Sequence, residues 1–159
     1  MIYHNIGEYH GYWENGRRHG EGVFNYQNGD VYSGWWKYGE KSGYGTYQFK
    51  ATGMKMTGDW EAGCLTTGQW IYPNGLYFHG NFNQNKPQGA GTWYFKNGNT
   101  LEGTFEQKPK VKGEDDPPSE ELEEDPEGNK IEKKPKFDLL WHTTTKIAAS
   151  AHQVNSVEQ

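Results

Sequence analysis

Histidine side chains are the first candidates for metal or acid–base chemistry in this 159-residue sequence. The six histidines are His4, His10, His19, His79, His142 and His152. None of them stands with cysteine or carboxylate residues at a spacing typical of metal ligands. His19 follows two arginines at the start of a predicted strand, and we interpret it as a turn residue of a repeated pattern. The sequence therefore predicts no metal site and no cofactor.

A lone cysteine and a glycine-rich segment are the next candidates. Cys64 stands at a predicted turn without a neighbouring base, so we do not expect a nucleophile. A single cysteine also excludes an intrachain disulfide and favours a reducing compartment. The segment GEGVFNYQNG, residues 20–29, lacks the Gly-Lys-Ser/Thr ending of a phosphate-binding loop. The acidic pairs near the C-terminus lie in a predicted flexible segment that cannot hold a catalytic geometry. We expect no enzyme activity.

Charge and composition argue against two classes of partner. Residues 1–105 contain eight acidic and eight basic side chains, so the surplus acid behind the net charge of −5 lies in the tail. Such a chain is a poor electrostatic match to nucleic acid or to an anionic membrane. No apolar run approaches the roughly 20 residues of a membrane span, and the N-terminus has no features of a secretory leader. We expect a cytoplasmic protein that binds neither nucleic acid nor a membrane.

Glycines at regular intervals reveal an internal repeat. Five of them, separated by 23, 24, 22 and 23 residues, are Gly11, Gly34, Gly58, Gly80 and Gly103. Two residues later an aromatic follows, namely Trp13, Trp36, Trp60, Phe82 and Phe105. Two residues earlier a large side chain stands, namely Tyr9, Tyr32, Met56, Phe78 and Leu101. This alternation with period two is typical of a β-strand.

The second half of each unit reads Gly-x-Gly-x-aromatic-x-aromatic and predicts a second strand. Its glycines are Gly20 and Gly22, Gly43 and Gly45, and Gly89 and Gly91, while the shortened third unit keeps Gly68. Its aromatics are Phe24, Tyr26, Tyr47, Phe49, Trp70, Tyr72, Trp93 and Phe95. Turn pairs such as Asn28-Gly29 follow, and Gly16, Gly39, Gly63 and Asn85 suit the other turn. Each unit is therefore predicted to be one β-hairpin.

Stacked hairpins predict the fold. All the aromatics named above share one sheet face, and the in-strand glycines leave gaps where a neighbouring ring lies across the backbone. We expect an all-β, elongated, twisted single antiparallel sheet, because one unit cannot bury its rings alone. At about 10 Å per hairpin, four and a half repeats make a rod of about 45 Å. The predicted boundaries are 1–107 for the array, 108–136 for an acidic linker and 137–159 for an apolar docking segment.

These residues resemble a known repeat family. Tyr9, Gly11, Trp13, Gly16, His19, Gly20 and Gly22 meet in full the pattern Tyr-x-Gly-x-Trp-x-x-Gly-x-x-His-Gly-x-Gly of MORN (membrane occupation and recognition nexus) repeats. The second unit departs from it only at Ser42, and the resemblance covers about residues 7–105. Later departures are Met56, Thr67, Asn85 and Leu101.

A narrower resemblance rests on the order of irregularities. The later repeats and the segment after them are similar to those of the radial spoke head MORN proteins of cilia and flagella. The segments follow in the order TYQFKATGMKMTGDW, a degenerate repeat, NKPQGAGTWYF, an acidic stretch and then KPKFDLLW. The resemblance implies a structural subunit of the axonemal radial spoke head. It also implies a cytoskeletal place in the cilium, with other spoke head proteins as partners. A homo-oligomer or two-fold assembly is compatible with it.

The tail leaves two questions open. Its acidic segment is either a solvated spacer or a docking site for a basic partner. The apolar cluster Phe137, Leu139, Leu140 and Trp141 either folds back onto the aromatic face of its own sheet or docks on a partner subunit.

Three functional hypotheses remain at this point. The first is a non-enzymatic scaffold that binds partners through its aromatic, grooved sheet face, its exposed terminal strand edges and its tail. The second is a lipid-binding module at membrane contacts, which would need a basic surface. The third is the accessory domain of an enzyme, since MORN arrays occur beside catalytic domains. Stacking of nucleobases on the aromatic face is disfavoured, because each ring falls on the repeat lattice.

Overall fold

The computed structural model describes residues 1–3, 6–109, 123–124, 130–131 and 137–144. Most of the predicted acidic linker, and the predicted docking segment beyond residue 144, lie outside the described residues. Its strands, in chain order, are β1 (Ile2–Tyr3), β2 (Gly7–Glu14), β3 (Arg17–Tyr26), β4 (Val31–Lys37), β5 (Glu40–Gln48), β6 (Lys55–Glu61), β7 (Cys64–Ile71), β8 (Tyr77–Asn83), β9 (Lys86–Tyr94), β10 (Thr100–Pro109), β11 (Glu123–Glu124), β12 (Lys130–Ile131) and β13 (Phe137–Thr143).

The strands form one open, antiparallel sheet of eleven strands. Strands β1 to β10 follow one another in chain order, and β13 pairs with the outer edge of β10. The short strands β11 and β12 pair separately. The prediction of an all-β, elongated and twisted array of stacked hairpins is confirmed.

Two-residue turns close the hairpins at one side of the sheet. The turn residues are Asn15-Gly16, Tyr38-Gly39, Ala62-Gly63 and Gln84-Asn85, and all eight have positive φ. Positive φ at both central positions matches the right-handed twist of the flanking strands. The fourth turn contains no glycine. Asn85 takes its place, because asparagine tolerates positive φ better than most residues.

A row of nine glycines crosses the sheet, one on each strand from β2 to β10. They pair in register in the order Gly11, Gly22, Gly34, Gly45, Gly58, Gly68, Gly80, Gly91 and Gly103. A Cβ added at Gly45 would overlap the Tyr32 hydroxyl, and one at Gly91 would overlap the Phe78 ring. Because a side chain would displace these rings, the row lets aromatic rings lie against the backbone, namely those of Tyr9, Tyr32, Phe78 and Trp141.

The third unit uses its glycines differently. A Cβ at Gly58 or Gly68 would first meet the main chain of the opposite strand, not a ring. Met56 stands where other units have a tyrosine or phenylalanine, and it is buried. Here the glycines allow close approach of two strands.

The first glycine of each Gly-x-Gly pair also differs from the expectation. Gly20, Gly43 and Gly89 have φ of 63°, 60° and 76°. Instead of leaving a gap for a ring, these residues take up the left-handed backbone at a point where the strand pairing shifts register. A period-two pattern cannot reveal this, because it carries no information about φ.

Aromatic rings of successive units interlock to form the core. Tyr32 lies edge-to-face between Trp36 and Trp60, at centroid distances of 5.1 and 5.3 Å. The Trp36 and Trp60 indoles donate hydrogen bonds to the carbonyls of Gly22 and Gly45 in the preceding unit, at 3.2 and 2.9 Å. Each unit therefore completes the core of the unit before it, as expected for a repeat that is stable only when stacked.

Candidate functional site

The face that carries the rings, here called the ring face, contains the predicted aromatic residues at three levels of exposure. The buried ones are Tyr9, Phe24, Tyr32, Trp36, Trp60, Phe78, Phe82 and Phe105. Partly buried ones that pack against these are Tyr26, Tyr47, Phe49, Trp70 and Trp93, and Tyr72 contacts Trp70 and Trp93. Trp13 and Phe95 remain 39% and 38% exposed. Most of the rings on the ring face are therefore buried in the core or packed against it.

Arg18 lies among the rings of the first unit, and sequence reasoning missed it. Its guanidinium carbon is 4.6 Å from the centroid of Trp36 and 5.2 Å from that of Phe24. The same group donates a 2.7 Å hydrogen bond to the carbonyl of Gly39, in the next turn. Arg18 therefore ties two neighbouring units together and stabilises its charge against ring faces.

Lys41 occupies the corresponding place in the second unit. Its ammonium lies 5.0 to 5.7 Å from the centroids of four rings, which are Tyr26, Tyr32, Tyr47 and Trp60. Burial lowers the pKa of Lys41; the nearby Cys64 opposes this shift, and Arg18 adds to it. Sequence position alone hints at this role, because Arg18 and Lys41 each stand two residues after a turn glycine.

Apolar residues replace these cations in the later units. Leu65, opposite Trp60, is fully buried, and so is Pro87, opposite Phe82. Sequence reasoning missed both, because neither is aromatic and the predicted core followed the aromatic positions. The interior of the ring face is therefore cationic near its N-terminal end and apolar near its C-terminal end.

Asp30 is a buried carboxylate at the connection between β3 and β4. It accepts hydrogen bonds from the Tyr47 hydroxyl, the Lys50 amide and the Asn28 side chain, at 2.8, 2.8 and 3.0 Å. Burial by itself would raise the pKa of Asp30, but these three donors outweigh it, and the pKa lies below its usual value. The same contacts tie two neighbouring connections together. These contacts give Asp30 a structural role.

The opposite face carries two open depressions above the glycine row, here called the first and second halves of the groove. The sequence placed the groove on the aromatic face, but most of the rings there pack into the core. The first half has a volume of about 370 Å³ and is lined by Glu21, Val23, Ser33, Trp35, Tyr44 and Thr46. The second half, of about 520 Å³, is lined mainly by Thr67, His79, Asn81, Thr92, Glu102 and Thr104. Trp35 and Tyr44 are 49% and 63% exposed. Exposed aromatic rings on the groove floor are therefore confined to its first half.

Metal-binding clusters and membrane-spanning helices were sought in the described ranges. There, no three His, Cys, Asp or Glu side chains come close enough together to hold a metal ion. None of the described residues forms a helix that could span a membrane.

The two ends of the sheet are covered to different extents. At the N-terminal end, β1 pairs with only Gly7 and Glu8 of β2, and the Met1 ammonium donates to the Tyr9 carbonyl at 2.7 Å. At the other end, β13 covers the outer edge of β10 from Gly103 to Pro109. The expectation that the last repeat strand exposes its edge is therefore wrong, since a distant segment of the same chain pairs with it.

The apolar cluster of the tail lies within β13. Trp141 packs at 4.8 Å from Phe105 and covers Gly103, in the unit where Leu101 supplies no ring. Leu139 also packs against the core, and Lys86 lies over the Phe137 ring at 5.8 Å. Leu140 is 37% exposed, and its side chain lies on the opposite face from Leu139 and Trp141. Of the two alternatives for this segment, the structure shows the intramolecular one.

The sequence matches a family model in three segments. The MORN repeat model matches residues 9–31, 32–51 and 78–100. These contain the first, second and fourth hairpins, while the unit with Met56 falls between them. No curated protein matches the chain. The match supports a MORN-type repeat module, which is in general non-enzymatic and serves as a scaffold or at membrane contacts.

Proposed function

We propose that this chain is a non-enzymatic scaffold that binds other protein subunits, and that it acts in the radial spoke head of motile cilia or flagella. The observation that carries the scaffold role is the interlocked ring face. Because rings of neighbouring units pack into one core, the sheet presents a continuous, defined face. A rigid surface of this kind suits the positioning of partners.

The spoke head assignment rests on the order of irregularities along the chain. A degenerate third unit, a fourth unit with NKPQGAGTWYF, an acidic stretch and then FDLLW follow one another, as in the resemblance described above. Two of these irregularities have a structural counterpart. Met56 replaces a ring of the lattice, and Trp141 of FDLLW covers the glycine of the incomplete fifth unit. They therefore belong to the folded array and are more than variation in loops.

The first half of the polar groove is the surface we assign to a partner. Trp35 and Tyr44 lie exposed on a floor of glycine backbone, beside Glu21, Ser33 and Thr46. Aromatic anchors beside polar groups are typical of the energetic centre of protein interfaces. A partner segment with an apolar side chain between hydrogen-bonding groups fits this surface.

Capture of partners from axonemal extracts tests the proposal. The tagged 159-residue chain would be incubated with the extract, and bound proteins would be identified by mass spectrometry. We expect radial spoke proteins to be enriched, and we expect the double variant Trp35→Thr, Tyr44→Thr to lose most of them. The absence of spoke proteins from the wild-type capture would overturn the spoke head assignment.

A matched control separates loss of the groove from loss of any exposed ring. Tyr38 is 64% exposed in a turn outside the groove, where its φ is 54°. Asparagine suits that turn position, so Tyr38→Asn removes a ring without straining the backbone. This variant is expected to retain the partners. Equal loss from both variants would contradict a role of the groove.

Membrane contact is the alternative that the MORN match leaves open. Residues 1–105 are neutral overall, and two of their eight basic side chains, Arg18 and Lys41, lie among rings of the core. Few cations are thus available to lipid phosphates. Sedimentation with vesicles containing anionic lipid is expected to leave the protein in solution, and strong binding that salt abolishes would favour the membrane role.

A further inference from the structure

Each exposed ring in the first half of the groove has a carboxylate directly across from it on a neighbouring strand. Trp35 of β4 pairs with Glu21 of β3, and Tyr44 of β5 pairs with Asp59 of β6. Directly opposite residues of an antiparallel pair project from the same face, with Cβ atoms about 5 Å apart. The ring pair is therefore flanked by one acidic side chain on each side.

These two carboxylates are exposed and carry no cation of their own sheet. Within the part of the chain that the structure describes, neither Glu21 nor Asp59 forms a salt bridge. The described residues that line the first half of the groove include no lysine or arginine. Arg18 and Lys41, the cations nearest in the repeat pattern, lie among the rings of the other face. This part of the groove face thus combines aromatic rings with negative charge.

Contacts with the sheet hold both rings in place. The Cβ of Trp35 would be 3.4 Å from a Cβ added at Gly43, so the side chain stands directly over that glycine. The Thr57 hydroxyl donates to the Tyr44 hydroxyl at 3.3 Å, and the hydroxyls of Thr57 and Thr46 are 2.8 Å apart in a second hydrogen bond. Because the rings are positioned before a partner arrives, binding orders them little further.

Rings beside carboxylates form a suitable site for a cationic side chain. A cation is attracted to a ring face within about 6 Å of its centroid, and a carboxylate adds a charge-assisted hydrogen bond. Arginine fits better than lysine, because its planar guanidinium stacks on rings and can bind a carboxylate through two parallel hydrogen bonds. Its aliphatic stem supplies the apolar contact on Trp35 and Tyr44. An acidic partner would instead meet like charge.

The distance between the carboxylates indicates how many cations the site takes. Glu21 and Asp59 lie three strands apart, which at the usual spacing between strands is about 14 Å. One side chain cannot reach both carboxylates. In an extended peptide, residues four positions apart are separated by about 13 Å. Two arginines at that spacing match the two carboxylates when the peptide crosses the strands.

We propose that the first half of the groove recognises an extended partner segment through two of its arginine side chains. One arginine stacks on Trp35 and pairs with Glu21, and the other stacks on Tyr44 and pairs with Asp59. This inference rests on the assignment of that surface to a protein partner under the proposed function, and it names the chemistry of that partner. It does not depend on the spoke head assignment.

Binding of two matched peptides to the 159-residue chain tests the proposal. The probe is fluorescein-labelled Ser-Arg-Gly-Ser-Gly-Arg-Ser, whose arginines are four positions apart. The comparison peptide carries citrulline at both places, which keeps the shape and removes the charge. Fluorescence anisotropy at low ionic strength, where screening is weak, would give both dissociation constants. We expect the arginine peptide to bind about tenfold more tightly. Equal binding of the two peptides, or no binding of the arginine peptide, would overturn the proposal.

Two single substitutions separate a local site from general attraction by an acidic chain. Glu21→Gln should weaken binding of the arginine peptide about fivefold, because it removes one charged partner of a guanidinium. Glu102→Gln is the matched control, since Glu102 is also an exposed carboxylate of the groove but lies in the second half. It should change the dissociation constant less than about twofold. Equal weakening by the two variants would contradict recognition at the ring pair.

The double variant Trp35→Thr, Tyr44→Thr tests the contribution of the rings with both carboxylates present. We expect it to lose the preference for arginine over citrulline, and a circular dichroism spectrum would verify that the sheet is intact. A preference unchanged from the wild type would contradict stacking on the rings. If the arginine peptide binds as expected but axonemal capture yields no spoke proteins, only the spoke head assignment fails. If spoke proteins are captured but the two peptides bind equally, only the present inference fails.

Discussion

The first two hairpin units and the next two share one backbone pattern but fill it with different chemistry. In β2 to β5, Arg18 and Lys41 lie among the rings, and Asp30 forms a buried network with Tyr47. In β6 to β9, the corresponding interior positions hold Leu65 and Pro87.

The ties between neighbouring units differ in the same way. In the first half, the Arg18 guanidinium donates to a turn carbonyl of the next unit. In the second half, neutral side-chain amides make the hydrogen bonds between units. The Asn85 side chain accepts one from the Leu65 main-chain amide, and the Gln107 side chain donates to the carbonyls of Asn83 and Lys86. The glycine row and the turns therefore determine the fold, while the side chains between them vary with position along the sheet. Exposed aromatic rings on the groove floor also occur only in the first half.

Placing a cation in the apolar half should have the largest effect. Leu65→Lys puts an ammonium at a fully buried site where Met56 takes the place of Tyr32. We expect a loss of about 3 kcal/mol in the free energy of unfolding, because the charge has neither a partner nor a full set of rings. Urea denaturation followed by tryptophan fluorescence would measure it. A loss below about 1 kcal/mol would show that the two halves are interchangeable.

Removing the buried carboxylate tests the polar network of the first half. Asp30→Asn keeps the shape but weakens the hydrogen bonds from Tyr47 and Lys50, and we expect a loss of about 2 kcal/mol at neutral pH. The pKa of Asp30 is lower in the folded than in the unfolded state. Its stabilisation is therefore complete above the ordinary aspartate value of about 3.9 and is lost as the pH falls below it. Denaturation curves of the two proteins should converge in acid, and a constant difference would contradict this account.

Exchanging the cation of the first half for an apolar side chain should have a smaller effect. Lys41→Met retains contact with the rings of Tyr26, Tyr32, Tyr47 and Trp60 and removes a desolvated charge. These contributions oppose each other, so we expect a change within about 1 kcal/mol. Lys41→Ala, which also removes the aliphatic stem, is the control and should cost more. Equal losses from both variants would show that the charge, not the stem, carries the stabilisation.

The titration of Lys41 should give the smallest effect. Because burial lowers its pKa, the folded chain releases this proton before the unfolded chain does. Stability relative to Lys41→Met should therefore rise slightly as the pH increases toward the ordinary lysine value of about 10.4. Measurements below pH of about 10 avoid ionisation of the tyrosines. The pKa itself can be read from the NMR shift of the lysine side chain, and an unshifted value would contradict the burial of the ammonium.

Much of the fold could be predicted because its determinants are local. The alternation of glycine and aromatic residues within five positions predicted the strands, and turn residues such as Gly16 and Asn85 predicted the hairpins. The places of Arg18 and Lys41 could not be predicted, because several of the rings around them belong to other strands and to neighbouring units. Pairing of β13 with β10 joins segments separated by a long intervening stretch, and only the apolar character of FDLLW hinted at it. The positive φ of Gly20 could not be predicted either, because the alternation of residue types carries no information about φ.

Footprinting of exposed rings tests the central claim most directly. Hydroxyl radicals would label the full chain alone and in the assembly captured from axonemes, with oxidation measured residue by residue. We predict that Trp35 and Tyr44 react in the free chain and become protected in the assembly, whereas buried Tyr32 and Trp60 stay unreactive in both. Unchanged reactivity of Trp35 and Tyr44 in the assembly, or strong reactivity of Tyr32 and Trp60 in the free chain, would contradict a scaffold that buries its ring face and binds through the groove.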